Sequence, residues 1–385
     1  MAIIVQKYGG SSVADVTKLK HVADCVMRTR REGHDVVVVV SAMGDTTDEL
    51  LDLARQVSPN PDRRELDMLL TAGERIAMAL LSMAIRELGG DAVSFTGSQS
   101  GIITNDRHAD ARIIEVRPVR VQDELARRKI VVIAGYQGMS YKREVTTLGR
   151  GGSDTTAVAM AAALGAEYCE ICSDVDGVYT ADPRIVSGTR RLAELSHEEM
   201  QELALSGARV LNAQAVEFAK DRGIVIHARS TFAAGAGTRI SQRASRELRI
   251  SGVAQDLDLL VVRAEDGAGL TRLLQDHGAW PRELWLDGPH ARLAIVPLEN
   301  VHGLPVLLQS LRAAPGVAVE QGLAQVSVVG SGIGSAHDEL SRAMRAVQIS
   351  PRAVLVSPLR ISMLVPRDAA GDCVRRLHAE FVERG

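Results

Sequence analysis

Three short runs carry the residue types and spacing that could do chemistry. The first is Lys7-Tyr8-Gly9-Gly10-Ser11-Ser12, between a strand-like run and a helix. Paired glycines let backbone N–H groups approach a phosphate without a Cβ in the way, the following helix N-terminus favours negative charge, and Lys7 adds a mobile cation. The Gly-x-x-x-x-Gly-Lys-Ser/Thr spacing of a Walker loop is absent, and the plain alternative is a glycine turn beside a solvated lysine. The second run is Thr146-Thr147-Leu148-Gly149-Arg150-Gly151-Gly152-Ser153-Asp154-Thr155-Thr156, leading into an alanine-rich helix. It is a second anion site, in which Arg150 could fork a carboxylate and Asp154 stands near a helix start; its plain reading makes Asp154 an N-cap. The third, residues 172–184, contains Asp176-Gly177, a hairpin signal, and Asp182-Pro183, a turn signal, so its acids could be turn residues alone. Ser41-Ala42-Met43-Gly44-Asp45-Thr46-Thr47 follows a strand, where α/β proteins place ligand loops, and Thr71-Ala72-Gly73-Glu74 is read as opening a helix with an acid suited to an amino group.

The elements that must hold these loops are legible as periodicity. Residues 2–6, 35–40, 130–134 and 224–228 are β-branched runs alternating with helical patterns, which predicts βαβ units and a mainly parallel sheet. Leu19, Val22, Ala23 and Val26 form one helical face, with Gly33 as the stop. Ile76, Leu80, Leu81, Ala84, Ile85 and Leu88 form another, ending at Gly89-Gly90. Ser196 and Glu199 make a capping box. Beyond about residue 245 the texture changes. The runs 257–264, 268–277, 291–297 and 301–313 suggest one small α+β module, and 324–330, 337–347, 354–357 and 361–366 a second. The expected domains are 1–245 and 246–385.

Composition bounds the partners. With 45 Lys+Arg against 48 Asp+Glu and a net charge of −3, no basic excess drives binding to nucleic acid or an anionic membrane. No leader pattern and no apolar stretch of about 18 residues is evident, so the expected compartment is the cytoplasm. Cys25, Cys169, Cys172 and Cys373 are too few and scattered for a disulfide framework; Cys169 and Cys172, three apart on a predicted strand, read as buried thiols.

Taken in order, Lys-Tyr-Gly-Gly-Ser-Ser, Ser-Ala-Met-Gly-Asp-Thr-Thr-Asp, Leu-Thr-Ala-Gly-Glu-Arg, Ser94-Phe95-Thr96-Gly97-Ser98-Gln99, Thr-Thr-Leu-Gly-Arg-Gly-Gly-Ser-Asp-Thr-Thr-Ala and Ser-Asp-Val-Asp-Gly-Val-Tyr-Thr-Ala-Asp-Pro-Arg resemble the motifs of bacterial aspartate kinases, especially actinobacterial ones, from residue 1 to about 240. The resemblance implies an α/β amino-acid-kinase fold, an open mainly parallel sheet between helices, followed by two small ACT-type regulatory domains that pair in a homo-oligomer. It implies transfer of a phosphoryl group from ATP, with Mg²⁺ on the phosphates rather than on assigned protein ligands, to L-aspartate. Lys7 and Asp154 would serve the reacting centre. Ser41, Thr47, Glu74, Arg150 and Ser153 would hold aspartate, with Ser41 also beside the phosphates. Tyr8, Gly9, Gly10, Gly151, Gly152, Ser173, Asp174, Val175, Tyr179, Thr180, Asp182, Arg184 and Arg209 would join Lys7 around ATP; Arg209 stands where the family usually has lysine, a planar fork in place of a point charge. No histidine base is required, because a carboxylate with a pKa of about 4 is already ionised at neutral pH.

The regulatory half resembles the family less. The family's Asp-x-Pro-Gly-type turn reads Glu265-Asp266-Gly267-Ala268-Gly269, and its amide-bearing effector stretch is replaced by Trp280-Pro281-Arg282-Glu283-Leu284-Trp285-Leu286. Lysine and threonine feedback is therefore expected to be weakened or lost. Two other readings stay open: a kinase of the same fold with a different carboxylate acceptor, and a non-catalytic regulatory subunit. Asn212-Ala213-Gln214 also departs from the family, and little is read into it.

Overall fold

Where valine and isoleucine run together the chain is extended and wholly buried, because β-branched side chains pack well on a pleated surface covered on both faces. In the computed structural model, which describes residues 2–242, 249–299, 301, 303–335 and 337–384, five consecutive valines of the strand Asp35–Val40 have no exposed surface. The chain divides into two compact units. The first comprises Met1–Val178, Arg191–Ala204 and Arg209–Ala244; the second comprises Tyr179–Arg190, Leu205–Ala208 and Ser245–Gly385. The boundary expected at 245/246, and Asn300, His302 and Ala336 in the expected modules, lie outside the described residues.

The first unit is built on an eight-stranded sheet. In spatial order its strands are Glu194–Ser196, Thr238–Ser241, Ile226–Ser230, Tyr168–Ser173, Ile3–Tyr8, Asp35–Val40, Ile130–Ala134 and Ala92–Phe95. The last six run parallel and the first two oppose them. The helix Val16–Arg31 buries Leu19, Val22, Ala23 and Val26 as the periodicity requires, and Gly33 follows it with φ +96°. Cys169 and Cys172 are buried free thiols, pushed up in pKa by burial. A second, four-stranded sheet joins Ile113–Val116, Ile102–Thr104, Gln137–Ser140 and Val145–Thr147, none of which was expected as a strand.

Two expectations are corrected here. Thr71-Ala72-Gly73-Glu74 does not open a helix; it lies inside the 25-residue helix Arg63–Glu87, whose N-cap is Asp62, accepting from the N–H groups of Arg64 and Glu65. Ile76 and Leu80 are exposed, and the buried stripe runs instead through Leu66, Leu70, Ala77, Leu81 and Ile85. By length and composition alone this helix is long and apolar enough to cross a membrane, yet half of its most apolar window is buried. The same composition suits a core helix of the unit.

The second unit contains two four-stranded sheets. Leu259–Ala264, Glu283–Asp287, His290–Pro297 and Val317–Glu320, with the helices Gly267–Asp276 and Leu304–Ala313, make one antiparallel module. That module is inserted into the other, because Arg249–Asp256 pairs with Leu323–Ser331 across it. A cluster including Leu259, Val261, Leu293, Ile295, Leu323 and Leu364 joins the two. The divergent stretch 280–286 supplies buried charge: Arg282 pairs with Asp256 at 2.8 Å, Arg360 with Glu283 at 2.6 Å, and Gln325 bonds both Arg282 and Glu283.

Candidate active site

The site residues stand at the carboxyl ends of parallel strands, where the chain must leave the sheet and expose backbone N–H groups. Lys7 is near the end of Ile3–Tyr8, and the next two residues turn away as glycines. At Gly10 a Cβ would come within 2.9 Å of the Ala42 carbonyl, and Gly44 N–H donates to the Gly10 carbonyl at 3.1 Å, so the 9–12 and 41–45 loops touch through backbone. A Cβ at Gly73 would lie 2.7 Å from that of Ala42, which brings the long helix against the same loop.

The 146–156 run behaves differently from its plain reading. Gly151, at φ +70°, is the N-cap of the helix Gly152–Leu164, and Asp154 stands in the first turn instead of capping it. Its carboxylate forms an ion pair with the Lys7 ammonium at 2.7 Å and accepts the Asn212 backbone N–H at 3.3 Å. The pair is almost enclosed, with 12% and 8% of the two side chains exposed. A cation held by a single carboxylate between two glycine turns can meet an incoming polyanion without large rearrangement.

Glu74 supplies the second feature. It is buried, one carboxylate oxygen accepts Ala42 N–H at 3.1 Å, and the other has no hydrogen-bond partner. Burial pushes its pKa up to about 7, only partly offset by backbone hydrogen bonds. A buried acid so placed is suited to an ammonium group, which would satisfy the orphan oxygen and restore the charge. Ser153 packs 2.7 Å from where a Cβ of Gly135 would stand, while Arg150 is exposed at the loop tip. Ser41 and Thr47, half-buried, flank the 41–45 loop, Thr47 in the first turn of Thr46–Val57.

Lys7, Tyr8, Gly9, Gly10, Ser41, Thr47, Glu74, Arg150, Gly151, Gly152, Ser153, Asp154, Ser173, Asp174, Val175 and Arg209 all belong to the first unit. Tyr179, Thr180, Asp182 and Arg184 belong to the second. Thr180 is buried there, bonded to His378 at 2.9 Å and to Arg190 N–H at 3.0 Å, so its hydroxyl is already committed. Asp182 is forked by Arg184, which holds its carboxyl below the usual range. Asp176-Gly177 forms no hairpin.

Two residues escaped the sequence reading. Asn212, passed over as a neutral departure, caps the helix Ala213–Arg222, donates its amide to the Arg150 carbonyl at 3.0 Å and covers Gly151, where a Cβ would stand 2.4 Å from its nitrogen. Its signal was an Asn before a helical run. Asp67, fully buried, lies at the i, i+4, i+7 spacing with Thr71 and Glu74, a polar stripe on an otherwise apolar helix face.

A strand-end cation between glycine turns above a mainly parallel sheet suits phosphoryl transfer, and residues 2–230 match the amino acid kinase family. The chain belongs to that family and, within it, to the aspartate kinases. It is 42% identical over 410 residues to the aspartokinase of Corynebacterium efficiens, covering 99% of this chain and 96% of that one. It is 42% identical to the aspartokinase of Geobacillus stearothermophilus over 399 residues, covering 99% and 97%. Among solved structures, aspartokinase III of E. coli in complex with aspartate and ADP superposes with a TM-score of 0.86 over 98% of this chain and 99% of that one, at 24% identity, a likeness of fold. The two small sheets are ACT-like.

Proposed function

We propose that the chain transfers the γ-phosphoryl group of ATP to the side-chain carboxylate of L-aspartate, giving 4-phospho-L-aspartate. The observation that carries this is the enclosed Lys7–Asp154 pair together with a buried glutamate of the same unit whose second oxygen has no partner. The acceptor is already an anion, so the barrier is the approach of one anion to another, which the Lys7 ammonium and the N–H groups of the glycine turns lower. In this reading Lys7 stabilises the transferring group, with Asp154 holding its ammonium in place until substrate arrives. Glu74 binds the α-ammonium of aspartate and Arg150 a carboxylate, with Ser41, Thr47 and Ser153 alongside.

Tyr8, Gly9, Gly10, Gly151, Gly152, Ser173, Asp174, Val175 and Arg209 lie on the nucleotide side. For Tyr179, Asp182 and Arg184 a nucleotide role rests on the resemblance alone, and the committed Thr180 hydroxyl speaks against one for its side chain. Mg²⁺ would sit on the phosphate oxygens, where it would neutralise charge. Residues 1–245 form the catalytic portion in this reading and 246–385 the regulatory one. The enzyme acts in the cytoplasm, pairs through its ACT-like region, and feeds amino-acid biosynthesis or a dedicated pathway. The Arg282–Asp256 and Glu283–Arg360 pairs fill the divergent stretch with internal contacts, which supports weakened lysine and threonine control.

The test is incubation with ATP, Mg²⁺ and L-aspartate, trapping acyl phosphate with hydroxylamine. Aspartyl hydroxamate is expected; its absence while ATP binds sinks the proposal. Strong concerted inhibition by lysine with threonine would overturn the regulatory part.

A further inference from the structure

A buried hydrogen-bond chain runs through the first unit beside the acceptor groups, and the phosphoryl-transfer reading makes no use of it. Asp67 has no exposed surface. One of its oxygens accepts the Thr147 hydroxyl at 2.6 Å and the Ala109 N–H at 3.0 Å; the other meets His108 Nδ1 at 2.7 Å.

The backbone around the chain is held as firmly. Leu148 N–H donates to the Tyr136 carbonyl at 2.9 Å, and Ala111 N–H to that of Thr147 at 2.8 Å. Tyr136 and Ala109 adopt φ of +67° and +69°, a left-handed conformation that non-glycine residues hold only when their surroundings impose it. A Cβ on Gly152 would lie 3.1 Å from the Tyr136 ring and 2.7 Å from Leu148 Cβ. The segment thus packs against the first residue of the Gly152–Leu164 helix, four residues downstream of where Leu148 is pinned. On its other side Asp67 stands two helical turns before Glu74, and the intervening Thr71 carbonyl accepts the Gln137 amide at 3.1 Å.

We infer that Asp67 is a positioning residue for the acceptor half of the site: through Thr147 it fixes the 148–152 loop relative to Glu74, and so sets the distance between the groups that take the two ends of aspartate. This rests on the reading of Glu74 and Arg150 as acceptor-side groups. The length of the dicarboxylate accepted is then a property of this chain of bonds. Burial pushes the Asp67 carboxyl up, opposed by the bonds from Thr147 and His108, as a network requires when its charge is retained only while its donors are in place.

The test separates aspartate from ATP kinetics. In Thr147→Val the KM for aspartate should rise about tenfold, the equivalent of one lost hydrogen bond, with the KM for ATP within about twofold of the parent value. Thr147→Ser, which keeps the hydroxyl, should restore most of it. Asp67→Asn, which keeps the side chain's size but not its charge, should raise the aspartate KM by roughly threefold and relax discrimination against glutamate. Parallel rises in both KM values, or an unchanged aspartate KM in Asp67→Asn, overturn the inference; the second criterion decides if Thr147→Val fails to fold. Failure of the parent enzyme to form aspartyl hydroxamate would sink the functional reading instead, and is scored separately.

Discussion

Buried charge is treated in opposite ways in the two units. In the second, the acids Asp256 and Glu283 are each matched by a guanidinium, and Gln325 ties the two pairs together. In the first, Glu74 is buried with no cation paired to it among the described residues, whereas Glu283, which also leaves one oxygen unbonded, has its guanidinium. A charge matched within the fold fixes shape, whereas an unmatched one waits for a ligand. The difference teaches where to look for binding: at the charge that the protein does not balance for itself.

Four substitutions would break or sharpen that contrast. The largest effect is expected at Lys7→Met, which should lower kcat by about a thousandfold, roughly 4 kcal/mol of barrier, in the hydroxamate assay. Next, Glu283→Gln removes the carboxylate that Arg360 donates to and should cost on the order of 3 kcal/mol in urea unfolding, with the KM for aspartate unmoved. A Glu283→Gln protein of parental stability would remove the idea that the second unit is locked by its own ions.

Third comes Glu74→Gln, for which the aspartate KM should rise roughly 30-fold at pH 8. The acid's folded pKa of about 7 lies above its unfolded value, so its stabilising contribution is complete below the unfolded pKa and is lost as pH rises through about 7. Melting temperatures of parent and Glu74→Gln should therefore diverge across pH 5 to 8, with the variant gaining. Aspartate, which needs the ionised acid, should bind the parent more tightly over the same rise, and a pH-independent affinity would argue against the ammonium contact. The smallest effect is expected at Asn212→Ala, about 1 kcal/mol of stability from the lost cap, measured by thermal unfolding.

The catalytic loops were legible because glycine announces itself: a backbone that must approach another backbone, as Gly10 does Ala42, has few alternatives in residue type. The start of the long helix was not. Its polar first turn, Arg63-Arg64-Glu65, carries no apolar periodicity, so the pattern became visible only further along, and Asp67 was hidden before it. Asp67 also takes its meaning from Thr147, 80 positions away, a separation that no local pattern encodes. The exposed Ile76 and Leu80 show the converse, since spacing identifies an apolar face without saying which of two faces is covered. The small modules were visible as runs of strand and helix, but the strand Arg249–Asp256 gave no hint that its partner lay beyond an entire intervening sheet.

That insertion has a kinetic consequence. The pairing of Val253 with Val328 closes a loop of some 75 residues, which is slow to form from an open chain. The strands between Leu259 and Glu320 pair with one another at shorter separations than that, and once they have collapsed they bring Asp256 and Leu323 to neighbouring positions. The inner module thereby serves as a template for the outer one, and its mutations should slow the appearance of the outer sheet before they alter its final stability.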